Sequence, residues 1–163
     1  MLRYPLTNRE AGDMDRGGRG RRGTEAARHR ALVRRASEEI WNQGDLALAD
    51  VLVAPAYVTH GGLIPDLIHG PEAIKSSVAL YRTAFPAFHR TVETLVAQDA
   101  MVDVQWTAHR TRSGGDAGRQ GVLQGTTRGR CAAAQIVESW TTWDRAGVLR
   151  RLGLLPAAGL GQG

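Results

Sequence analysis

At 163 residues with 42% hydrophobic side chains, the chain is sized for one domain around one continuous core, and a second domain is not expected. No apolar run approaches the roughly 20 residues that span a bilayer, and Met1–Gly23 lacks the apolar stretch of a secretory signal, so a cytoplasmic protein without a membrane partner is expected. The formal charge of +5 would imply an anionic partner only if it sat on the folded part, but six arginines against three acidic residues place a net +3 within Met1–Gly23.

That head contains Arg16-Gly-Gly-Arg-Gly-Arg-Arg-Gly23, similar to RNA-binding RGG segments, but it is one short copy without interleaved aromatics. A disordered, solvated basic head over residues 1–23 is expected, and nucleic acid is not the expected partner. The single cysteine, Cys131, excludes an intrachain disulfide. His29, His60, His69, His89 and His109 show no ligand spacing, so a metal is not expected. No Gly-x-Ser-x-Gly elbow announces a nucleophile.

Thr24-Glu25 reads as a helix start, after which Ala27, Leu32, Val33, Ala36, Ile40 and Trp41 recur at helical spacing. Asn42-Gln43-Gly44 should end that helix, and Asp45 should cap a second short one over Leu46–Val53, closed by Pro55. Tyr57–His60 reads as a short strand followed by a glycine-containing loop. Gly70-Pro71-Glu72 opens a third helix that stops before Pro86. The period then changes to that of strands over Phe88–Ala97, Met101–Arg112, Gly121–Cys131 and Gln135–Asp144. Helices followed by strands argue for an α+β fold with an antiparallel meander over segregated helices, spanning residues 24–155 before a flexible tail at 156–163.

Four segments in order resemble the SnoaL-like polyketide (ester) cyclases of the nuclear transport factor 2-like superfamily. They are Ala31–Asp45, Ala54–His60, Gly70–Ile74 with Ala84-Phe-Pro86, and Ile136-Val-Glu-Ser-Trp140 leading to Trp143-Asp144 and Leu152-Gly153. The resemblance implies a cone-shaped α+β barrel of three helices packed on a curved, mostly antiparallel sheet. It also implies a homodimer and a pocket for a small hydrophobic, polyketide-like molecule. Cyclases of the family close a ring by an intramolecular aldol reaction, in which a carboxylate takes the proton alpha to a carbonyl and an imidazole assists the developing oxyanion. At the matching positions this chain carries Thr141 in place of the aspartate and Thr127 in place of the histidine. A threonine hydroxyl has no usable basicity at neutral pH. The family's Gly-Ile-Pro-Pro-Thr-Gly hairpin is replaced by Ser113–Gln120.

The chemistry therefore needs other carriers. Strand alternation puts Asp103, Gln105, Thr107 and His109 on one face and Val104, Trp106 and Ala108 on the other. His109, near a strand end, is the first candidate imidazole, with an exposed sheet histidine as the alternative. His60, at the end of the short strand, either lines the cavity mouth or lies on the surface. Asp144 either acts in the site or caps the following helix. The resemblance places Trp41, Ser77, Thr127 and Thr141 around the pocket, strand alternation adds Ser139 and Trp143 to the face of Thr141, and Tyr57 and Trp106 are expected to line it with them. The leading expectation is a cofactor-independent enzyme of secondary metabolism, of cyclase or isomerase type. The alternative is a non-catalytic binding or assembly protein of the same fold that has lost its base.

Overall fold

The computed structural model describes residues 8–62, 66–85, 87–109, 122–151 and 155–156. The expected loop Ser113–Gln120, residues 1–7 of the expected head and 157–163 of the expected tail lie outside these residues. The first helix, α1, runs Asn8–Arg35 and continues without a break into a π-helical segment, Ala36–Asn42. A start at Thr24 is thus corrected: the helix begins sixteen residues earlier, inside the expected head. Thr24 is not its cap, because its hydroxyl donates back to the carbonyl of Gly20 at 2.9 Å, a bond available to threonine within a helix.

Gly44, at φ +77°, takes the left-handed conformation that ends the helix, as the Asn-Gln-Gly sequence predicts. Asp45 then accepts a hydrogen bond from the Leu48 backbone N–H at 3.3 Å, opening a 3-10 turn (Leu46–Leu48) and the single turn α2 (Ala49–Leu52). The strand β1 follows at once over Val53–His60. Pro55 therefore does not close a helix but lies inside β1, which it can do because β1 is an edge strand. Helix α3 spans Pro71–Ala84 with proline in its first turn. Strands β2 (His89–Gln98), β3 (Met101–His109), β4 (Val122–Ala132) and β5 (Gln135–Trp143) come next, and α4 (Arg145–Arg151) ends the described elements.

The five strands form one sheet in the order β1-β5-β4-β3-β2. The last four make an antiparallel meander, and β1 returns to pair in parallel with β5. Register shifts at Val92/Thr94 and Arg130/Cys131 mark bulges, the device by which strands bend, and the pairing of β1 with β5 is irregular between Val53 and Val58. On β3 the inward residues are Val102, Val104, Trp106 and Ala108, all buried. They pack with Val33, Tyr81, Phe85, Phe88 and Val148 into one apolar cluster, while Ile40, Leu52, Tyr57, Ala73 and Val78 form a second beneath α3. Each fully buried aliphatic side chain contributes about 1.5–3 kcal/mol, so these two clusters are what holds the helices to the sheet.

One contact fixes how the sheet is filled. Gly125 on β4 lies opposite Trp106 on β3, and a Cβ at that position would stand 2.3 Å from the indole Cζ2. The indole therefore lies over a strand position left empty of side chain. Gly125→Ala should lower stability by about 1–3 kcal/mol through overpacking, read as a lower midpoint in urea unfolding. Combined with Trp106→Leu it should cost less than the two single changes added together.

Candidate functional site

Between the helices and the inner face of the sheet lies a cavity with an open mouth. The first helix contributes Val33, Ala36, Ser37 and Trp41, and α3 contributes Ile74, Ser77 and Tyr81. The sheet contributes Tyr57 and Thr59 from β1, Arg90 from β2, Val104 and Trp106 from β3, Thr127 and Gly129 from β4, and Ile136, Ser139 and Thr141 from β5. Each strand sends alternate residues inward, which is why Tyr57 shares its face with Thr59 and Ser139 shares its face with Thr141.

Two groups of hydroxyls are wired into the walls. Tyr57 Oη and Ser139 Oγ are hydrogen-bonded at 2.5 Å, and Ser139 Oγ donates on to Thr59 Oγ1 at 3.3 Å. Desolvation pushes the Tyr57 phenol above its usual range, against the opposing pull of Ser139, Thr59 and the Arg90 charge, so it stays protonated as a donor. On the other side Trp106 Nε1 donates to Thr127 Oγ1 at 3.0 Å, and Thr127 and Thr141 share a hydrogen bond of 3.0 Å. The two threonines that replace the expected base and imidazole thus satisfy each other. Ser77 donates back to the Ala73 carbonyl at 2.7 Å and is a wall rather than a free donor.

The charge in this cavity is Arg90, a residue that sequence reasoning missed. It is 7% exposed, with its guanidinium carbon 4.8 Å from the Trp106 ring and 5.4 Å from the Trp41 ring. Among the described residues no carboxylate pairs with it, and its buried Nε has no hydrogen-bond partner. Burial lowers its pKa to about 10, with smaller opposing effects from the Tyr81 and Tyr57 phenols, so it remains a cation at neutral pH. Its backbone is held by Asn42: the Asn42 side-chain amide donates to the Arg90 carbonyl at 2.9 Å, and the Arg90 N–H donates to Asn42 Oδ1 at 2.8 Å. The sequence did carry a signal. Phe88, Arg90 and Val92 alternate, so an arginine shares the face of two apolar residues.

Seven of the eight expected pocket residues line the cavity: Trp41, Tyr57, Ser77, Trp106, Thr127, Ser139 and Thr141. Trp143 does not; it stands behind Tyr81 with ring centroids 5.3 Å apart, and its Nε1 donates to the Gly61 carbonyl at 2.7 Å. The three candidate catalysts also lie elsewhere. Because Trp106 faces inward, strand alternation turns His109 outward, where it is exposed and opposite His89 on β2. His60 stacks on Trp140 at 5.5 Å and meets Glu138 Oε1 through Nε2 at 3.0 Å, on the outer face of the sheet. Asp144 accepts from the Gly147 N–H at 3.0 Å and caps α4. None of the three belongs to the cavity lining. Among the described residues no three His, Cys, Asp or Glu side chains converge as metal ligands, and no helix is long and apolar enough to cross a membrane.

This arrangement can bind an apolar body and stabilise a negative oxygen. It brings no carboxylate or imidazole from the described residues to the cavity wall. The fold and the position of the cavity define a known class: the chain belongs to the SnoaL-like polyketide cyclase family, which it matches over residues 31–152. Among solved structures, a candidate polyketide cyclase from Bacillus cereus superposes with a TM-score of 0.67 at 20% identity, covering 81% of this chain and 85% of that one. IdmH, a candidate polyketide cyclase from Streptomyces antibioticus, gives 0.61 at 26% identity, covering 76% and 96%. AclR from Streptomyces galilaeus, described as a candidate hydroxylase, gives 0.60 at 21% identity, covering 83% and 87%. No curated protein matches the chain in sequence.

Two outcomes check these assignments. Asp144→Ala should cost about 1 kcal/mol as a lost cap, while Asp144→Ala, His60→Ala and His109→Ala should each leave ligand binding in the cavity within twofold of the wild type by titration calorimetry. For Arg90 the sign is the reverse. Its folded pKa of about 10 lies below the ordinary value of a guanidinium, so the folded state carries the cost of the buried charge at every pH below 10 and loses that cost as pH rises through 10. Arg90→Met should therefore raise stability at pH 7 by about 1–3 kcal/mol in chemical unfolding, with a gain that shrinks above pH 10.

Proposed function

We propose that the protein takes a hydrophobic polyketide-type molecule into this cavity and acts on it by cofactor-independent carbonyl chemistry of the cyclase or isomerase type. The observation that carries the reading is a buried cation set among aromatic walls and hydroxyl donors, inside a domain of the SnoaL-like polyketide cyclase family. In such chemistry an acidic carbon loses its proton and negative charge moves onto a carbonyl oxygen. A preorganised cation and hydroxyl donors in a water-poor site stabilise that oxygen more strongly than water does. Arg90 supplies the charge, and Thr59, at the accepting end of the Tyr57–Ser139–Thr59 chain, keeps its own hydroxyl proton for the cavity. With Thr127 and Thr141 in the places of the expected pair, the proton goes to solvent at the mouth, which suits a substrate whose carbon is already acidic.

A second reading has its own observation. Thr127 and Thr141 bond to each other and leave no base, as expected of a binding protein that keeps the cavity without turnover. Proton exchange separates the two. In deuterated buffer the protein should accelerate loss of the α-protons of 2-tetralone, a bicyclic enolisable ketone, at least tenfold over buffer by NMR, and Arg90→Met should lose that acceleration. Binding of 2-tetralone without acceleration would overturn the catalytic reading in favour of the second. Under that second reading, Thr127→His with Thr141→Asp should then create exchange activity.

A further inference from the structure

We infer that the cavity selects molecules that carry an anionic oxygen group, a carboxylate or an acidic enolate on an aromatic body, and that Arg90 is the residue that reads that charge. The inference rests on the cavity being a small-molecule site, but not on turnover. A guanidinium offers five N–H donors and no acceptor, and in a folded protein a buried one is nearly always met by a carboxylate or by carbonyls. Here the aromatic faces of Trp41 and Trp106 meet it instead, at 5.4 and 4.8 Å, and they have no in-plane lone pairs to accept its N–H groups. Its Nε is enclosed without an acceptor. Among the described residues, no carboxylate lies within ion-pair distance of it, although other arginines find theirs: Arg128 pairs with Asp103 and Arg130 with Glu138.

An unpaired buried charge is expensive, and the fold does not let this one escape to solvent. Asn42 fixes both backbone groups of Arg90, so the side chain is aimed inward from a held strand. The counter-charge must then come from what enters the cavity. The same walls say what body bears it. Trp41 meets Tyr81 edge-on at 5.3 Å, and Tyr81 meets Phe88 at 5.4 Å, so the cation is framed by flat apolar rings. A planar aromatic acid satisfies both features, with its ring against the aromatic walls and its oxygens on the guanidinium through charge-assisted hydrogen bonds.

The test uses the full chain and two isosteric probes, 2-naphthoate and 2-naphthamide, titrated calorimetrically at pH 7 and constant ionic strength. Naphthoate should bind at least tenfold more tightly than naphthamide. Arg90→Met should abolish that preference, so that the two probes bind within twofold of each other, and Arg90→Lys, which keeps the charge but not the fork, should retain part of it. Equal affinity for the two probes in the wild type, or a preference that survives in Arg90→Met, overturns the inference and leaves the cavity as a neutral-ligand site. Binding of neither probe overturns the inference together with the small-molecule reading of the cavity. Selective binding of naphthoate without proton exchange on 2-tetralone upholds the inference while the catalytic reading falls.

Discussion

The side chain of Asn42 forms two hydrogen bonds across a seam, to the N–H and the carbonyl of Arg90, much as a neighbouring strand would. That seam joins the end of the first helix to the free edge of the sheet at β2. Arg82 on α3 draws the third helix into the same point by donating to the Asn42 carbonyl at 2.9 Å. An edge strand left bare would offer its backbone groups to any passing strand. Here part of the edge is closed from within the chain, and the closure holds the helices at the distance from the sheet that leaves a cavity between them.

Stability and recognition pull in opposite directions at Arg90. Every other feature of the inner face lowers the free energy of the folded state: alternating aliphatic residues on β3, the indole laid over Gly125, hydroxyls that satisfy one another. Arg90 alone among these raises it, because its charge is taken out of water without a protein counter-charge among the described residues. Residues kept at a cost to stability are characteristic of binding and reactive sites, where the missing interaction is supplied by the ligand. The departure from the family pattern has the same character. With Thr141 where the resemblance leads one to expect a carboxylate, the wall holds no negative charge from the described residues to neutralise an incoming cation, while Arg90 leaves the cavity disposed toward anions.

Much of the architecture was legible in the sequence because it is written in local chemistry. Asp45 as a cap, Gly44 as a helix end, Pro71 in a first turn and the inward alternation of Ser139 with Thr141 all follow from one or two residues and their period. What failed was decided at longer range. Glycines at 17, 18, 20 and 23 argue against a helix on propensity, yet α1 passes through them. Pro55 reads as a stop until one knows that β1 lies on an edge. Imidazole chemistry points to His109 and His60, but the inward turn of Trp106 on β3 and of Tyr57 on β1 sends both histidines to the opposite face. Arg90 is hidden for the complementary reason, since a charged residue in a strand ordinarily faces water.

The parallel pairing of β1 with β5 has a consequence for how the molecule is made. Strands β2 to β5 are joined in sequence and can zip as hairpins, but β1, at Val53–His60, finds its partner only in Gln135–Trp143. Closing so long a loop is slow, because its entropy is lost before the contacts reward it. The bond between Tyr57 and Ser139 spans the same gap. Contact-order reasoning therefore puts the meander first and the sealing of β1 against it late. Until that seal forms, the wall carrying Tyr57 and Thr59 is missing and the guanidinium of Arg90 remains open to water, so the cavity comes into existence only as folding ends.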